Sequence, residues 1–272
     1  MDPKPDTLLI SSPFRGRLAR KGGATLGYVV SASLNQYPRL EAKARARGCA
    51  VAILLSLAGF LGLTAASMAL YPGGNWLDRA ATGHRFFANF FCDLTQPISL
   101  SGVTNAVGSR LAQLGMLFFA VALAGLFWLL PQLFVVRSRA RRWVRGLGEC
   151  AVLCFVAVPL TPSERFGNAH AALALVSGSF GVASALLAAW ALWAAKRRVL
   201  ALLGALTSAL CAFDGALFTY HLSDAAPPPL LVPAGQKIAA LTLVLWIATV
   251  ACCVLLGHAG EGMKADESKE LP

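Results

Sequence analysis

Long apolar runs separated by short charged links dominate the chain. Six runs meet or approach the roughly 20 residues a helix needs to cross a bilayer core: 49–70, 111–134, 146–160, 171–194, 199–220 and 238–256. They are apolar on all faces, without the one-sided stripe of a helix packed on a water-soluble core. The pattern predicts an all-α, polytopic membrane helical bundle of about six transmembrane helices. The run at 146–160 is short, which suits a thinned bilayer or a span that takes in its polar flanks.

The links differ in charge. Arg39, Lys43, Arg45 and Arg47 precede the first run, Arg137, Arg139, Arg141, Arg142 and Arg145 follow the second, and Lys196, Arg197 and Arg198 follow the fourth. The alternate links carry few cations: Arg79, Arg85 and Arg110, then Arg165, then Lys237. Lys and Arg stay on the cytoplasmic side, so both termini are expected there. This divides the chain into a basic cytoplasmic extension (1–47), a six-helix transmembrane domain (48–258) and a cytoplasmic tail (259–272). The apolar stretch 26–34 is too short to span and is not a secretory signal. It either lies on the anionic inner leaflet or is disordered.

Composition agrees. Hydrophobic residues make up 57% and charged residues 14%, against about 25% charged in a soluble domain, and the mean hydropathy is +0.62. The net charge of +11 would suggest nucleic acid on a soluble face. Between apolar runs it marks topology instead, so membrane lipids are the expected partners and nucleic acid is not; no protein partner can be named.

The link after the first run is long and aromatic, YPGGNWLDRAATGHRFFANFFCDLTQP. Tyr71-Pro72-Gly73-Gly74 is a turn signal that ends the first helix, and Asn75 is a candidate cap for a new one. Phe86, Phe87, Phe90 and Phe91 recur at helical spacing, which predicts a short interfacial helix in a long external loop. Ionisable residues collect on the same side: His84 and Asp93 in the loop, His170 at the start of the fourth run, Asp214 inside the fifth and His221 at its end. An acid at the depth of Asp214 is costly and usually faces the bundle interior with a partner. His84, Asn89, Asp93, His170, Asp214 and His221 are therefore the ligand-binding candidates, expected to border one outward-facing pocket. His84, His170 and His221 could also hold Zn²⁺ as a three-His site, although no tight spacing motif supports it and the simpler expectation is no cofactor. Glu149 is expected to pair with a neighbouring Arg. Cys150 and Cys154 share a helix face but lack further ligands, and Cys92, alone on its side, has no disulfide partner there.

At NFFCDLTQ (89–96) the chain resembles a bacterial family of six-helix membrane proteins, the DUF998 type, and distantly the Frag1/DRAM-like proteins. YPGG, the Asn89/Asp93 spacing, Pro162 followed by His170, and VPAGQKIAALTLVLWI (232–247) extend the resemblance over roughly 48–258. It implies a six-helix bundle and carries over no activity. Three His and an Asp at one face are also similar to alkaline ceramidases, but their HxxxH pair is absent here and they have seven helices. Walker, HExxH and GxSxG motifs are absent as well. The expectation is an integral membrane protein that binds a lipid or small ligand at the external pocket. The alternatives are a metal-dependent hydrolase acting on a lipid and a small transporter or sensor; whether the chain is an enzyme stays open.

Overall fold

The computed structural model describes residues 23–134, 138–222 and 230–257, with side chains from Leu40 onward. The expectations for 1–22, for the side chains of 26–34, for the link 223–229 and for the tail after Gly257 lie outside the described residues. The chain divides into two units, Met1–Ala44 and Arg45–Pro272. In the first, the described backbone is helical from Gly23, and Leu40 through Ala44 are exposed.

The protein is an all-α, multi-pass membrane protein. Among the described residues six helices are long and apolar enough to cross a bilayer: α1 (Gly23–Leu70), through its Leu40–Leu70 part, α3 (Ala106–Leu129), α4 (Ser138–Leu160), α6 (Asn168–Ala194), α7 (Arg198–Leu222) and α8 (Leu231–Leu255). One-turn helices α2 (Phe91–Leu94) and α5 (Ser163–Phe166) sit in the links. The boundaries move outward from the apolar runs for physical reasons. Arg139, Arg141, Arg142 and Arg145 of the second link are themselves helical, so α4 is a full span of 23 residues that takes in its polar flanks, the second of the two readings of the short run; Arg137 lies outside the described residues. α8 begins before Pro233, because a proline in the first turn forfeits no helical hydrogen bond. Lys237, read from sequence as part of a link, is thereby drawn inside the last span.

Five helices close a ring in which α3 touches α4, α4 touches α6, α6 touches α7, α7 touches α8 and α8 returns to α3. The Arg45–Leu70 part of α1 packs against α3. Small residues permit the approach, as lipid-embedded interfaces require: Gly115 faces Thr64, Gly125 faces Ile53, and Ser67 Oγ donates to the Gly108 carbonyl at 2.8 Å. The apolar core (Ile53, Leu126, Leu130, Val144, Leu192, Leu200, Trp246, Val250) lies toward the end that carries the basic links. Trp246 anchors it: its indole N–H donates to the Leu200 carbonyl at 3.0 Å, and its ring lies where a side chain on Gly204 would go. Away from this core α7 opens. All its buried residues fall between Leu200 and Ser208.

Candidate functional site

The link between α1 and α3 folds into a cap held by buried polar side chains. α1 stops at Leu70, and Gly73 (φ +145°) and Gly74 (φ +83°) turn the chain through left-handed backbone. A side chain on Gly73 would meet the Ala81 carbonyl, and one on Gly74 the Leu100–Ser101 backbone. Isolated antiparallel bridges, Gly73 with Thr82 and Ile98 with Thr104, tie the ends. Asn75 caps no helix; its Oδ1 accepts from the Leu77 and Asp78 N–H groups at 2.9 Å each, closing a tight turn. The short helix of the loop is the single turn Phe91–Leu94, and Phe86 to Ala88 lie in turns before it. An extended amphipathic helix does not form because Asn89 and Asp93 turn inward and bond to the backbone instead.

Asn89, fully buried, is the hub. Its Nδ2 donates to the Gly74 carbonyl at 2.7 Å and to Asp93 Oδ2 at 3.2 Å. Its Oδ1 accepts from the Arg85 N–H at 3.0 Å. Asp93, 2% exposed, also accepts from the Phe90 N–H at 2.8 Å. Burial pushes the Asp93 carboxyl up to about 6, opposed by these hydrogen bonds and by the Lys237 charge. α8 supplies the clamp. Lys237, 0% exposed, donates from Nζ to the Asn89 carbonyl at 2.6 Å and sits 4.1 Å over the Phe91 ring. The adjacent Gln236 accepts from the Phe91 N–H at 2.9 Å. On the far side Asn105 donates to the Leu94 and Gln96 carbonyls at 3.1 and 3.0 Å, and Gln96 donates to Ser163 Oγ at 2.9 Å.

Beneath the cap, within the ring, lies a cavity of about 710 Å³. Phe90, Phe91 and Cys92 roof it, and its walls come from α3, α4, α6, α7 and α8, with Phe60 of α1. Exposed residues on both α6 (Ser179, Ala183, Leu186) and α7 (Ala212, Ala216, Thr219) belong to the wall, so it opens sideways between these helices. Its one charged lining residue, among those described, is Asp214.

The sequence candidates thus part company. Asn89 and Asp93 meet in the cap. His84 lies beside them, edge-on to Tyr71 at 5.8 Å; burial, helped by the Lys237 charge, lowers its imidazole to about 4. His221 packs on Trp76 at 5.4 Å and Phe90 at 6.4 Å. His170, buried, holds the Thr161 carbonyl through Nδ1 at 2.7 Å. Asp214 alone of the six lines the cavity, with Oδ1 3.5 Å from where a Gly235 side chain would begin and no hydrogen bond or ion pair among the described residues. No group of three or more His, Cys, Asp or Glu among the described residues is placed to hold a metal ion, so His84, His170 and His221 do not form one ligand set. The seven cysteines include no disulfide. Arg145 pairs with Glu149 at 2.8 Å, both exposed.

No family model, curated protein or solved structure matches the chain. Chemistry must therefore be read from the geometry. Lys237 and Gln236 are the residues that sequence reasoning missed. The signal was available: a lysine four positions after Pro233 falls in the second turn of a helix that Pro233 is free to open.

Proposed function

We propose that this protein binds an amphipathic, lipid-like molecule within the membrane, its apolar body entering the cavity sideways between α6 and α7. The observation that carries the reading is the cavity itself: about 710 Å³, well within the 300–1,000 Å³ or so of ordinary ligand sites, largely apolar, closed above by the clamped cap and open toward lipid. Gly178 and Gly215 line it with no atom within 4 Å of where their side chains would begin, so these are the positions at which leucine should take up ligand space. Native mass spectrometry of the protein extracted from membranes should find a bound amphiphile in the wild type and little in the Gly178→Leu/Gly215→Leu variant at unchanged melting temperature. An empty wild type, or equal retention in both, refutes the reading.

The orientation belongs to the same proposal. Arg139, Arg141, Arg142, Arg145, Arg197 and Arg198 share one end with the exposed indoles of Trp143, Trp190 and Trp193, and Arg198 stacks at 3.7 Å on Trp193. Cations favour the cytoplasmic face and Trp the headgroup level, which supports a cap on the external face; a bacterial inner membrane is proposed on the sequence resemblance alone. Reporter fusions after Arg142 and Arg198 should read cytoplasmic and one near Asp93 external; an external signal after Arg142 overturns it. The DUF998-type kinship is kept on the same footing, since NFFCDLTQ supplies the buried centre of the cap.

A further inference from the structure

The cavity wall is chemically one-sided. Its five hydroxyls all spend their protons on backbone carbonyls: Ser177 to Ala151 at 2.9 Å, Ser179 to Leu175 at 2.8 Å, Thr207 to Thr242 at 3.3 Å, Ser208 to Gly204 at 2.7 Å and Thr219 to Gly215 at 2.8 Å. What they turn to a ligand is lone pairs. The Trp246 N–H is likewise spent on Leu200. The Gln236 amide and the thiols of Cys92 and Cys211 are the remaining donors. Among the described residues no Lys, Arg or His lines the space, and Asp214 is its single carboxyl. Lys237, whose charge reaches Asp214 through space, is not a lining residue; the Asn89 carbonyl and the Phe91 ring engage its ammonium directly. Aromatic rings complete the wall, among them Phe90, Phe91, Phe155, Phe218 and Trp246.

Each feature favours positive charge on the occupant. An ionised carboxyl among helices is costly until a cation joins it, ring faces attract cations, and a wall of acceptors suits N–H donors. We propose that the cavity selects a lipophilic cation, an apolar body bearing one ammonium-type group, with Asp214 as its counter-ion. This rests on the amphiphile reading above.

The test uses the full chain in phosphatidylcholine nanodiscs at pH 7 and three radiolabelled probes with one common tail: dodecylamine, dodecanol and dodecyl sulfate. Protein-dependent, saturable binding should rank amine over alcohol by at least tenfold and alcohol over sulfate. Asp214→Asn should bring the amine down to the level of the alcohol and leave the alcohol unchanged, whereas Glu149→Gln should leave the ranking intact. Equal binding of amine and alcohol by the wild type, or a preference that survives Asp214→Asn, refutes the cation site and leaves the cavity reading standing. If no probe binds, the cavity reading falls and takes this one with it. The wild-type ranking decides the matter even if the Asp214 variant fails to fold.

Discussion

Replacing Lys237 by Met tests whether the clamp holds the cap. The substitution keeps an unbranched apolar stem of similar volume in a fully buried place and removes the ammonium. Lost with it are a charge-assisted bond to the Asn89 carbonyl at 2.6 Å, of a class worth about 1.5–3 kcal/mol, and the cation over Phe91, worth about 1 kcal/mol. Against this stands the relief of no longer burying an ammonium, several kcal/mol in an apolar setting. The relief is partial, because Asp93 then stays buried without the Lys237 charge. The net expectation is a loss of about 2 kcal/mol, or about 4–8 °C in melting temperature for a chain of this size. The assay is thermal unfolding in detergent with Lys237→Met, Asp93→Asn and the double variant. The two single losses should exceed the double by about 1 kcal/mol, as residues sharing one network do. A Lys237→Met protein as stable as wild type, or losses that simply add, would refute the clamp and leave Lys237 a tolerated buried charge.

The other expectations are more local. Gly74→Ala should destabilise the cap by about 2 kcal/mol, since the left-handed backbone and the Leu100–Ser101 contact both exclude a side chain, and limited proteolysis should then cut within 71–105. Gly204→Val should cost about 1–3 kcal/mol by driving Trp246 off its seat, seen as a lower melting temperature with altered tryptophan emission. The pH dependence should split by residue. His84, lowered to about 4, binds fewer protons folded than unfolded, so its contribution is lost as pH falls from about 6.5 toward 4. Asp93, raised to about 6, does the reverse, and its contribution grows as pH falls from about 6 toward 4. His84→Gln should therefore flatten, and Asp93→Asn steepen, the loss of melting temperature between pH 7 and 5; shifts in the same direction would refute these assignments.

Much of this architecture was legible beforehand, and its limits are physical. Apolar length gives the spans because no water is available to a backbone in lipid. It started α8 too late, since Lys237 is a helical residue that hydropathy counts as a link, and it left α4 between two readings that the helical Arg139–Arg145 stretch decides. Asn89 and Asp93 were visible as polar residues in an aromatic loop, but the phenylalanines around them read as helical periodicity, and a spacing of four gave no sign of the buried bond between the two side chains. The three imidazoles shared a side of the membrane without sharing a centre, because avoidance of the bilayer interior sorts polar residues by depth and leaves their azimuth free. Asp214 was singled out by depth alone. That it faces a cavity and not a side-chain partner depends on which residues of the other helices surround it, and depth along one helix carries no information about them.

The cap also constrains the order in which the protein can be made. Lys237 follows Asn89 by 148 positions, and Gln236 follows Phe91 by 145. When α1 and α3 have already entered the bilayer, the loop between them has its internal turns but neither of its α8 bonds, and Asp93 has no ammonium near it. Those arrive only after four further spans have been synthesised and inserted. Until then the aromatic loop is an unlatched nascent segment, open to insertases and proteases. A chain arrested before α8 should thus be recognised as unfinished by its loop, far from the point of arrest.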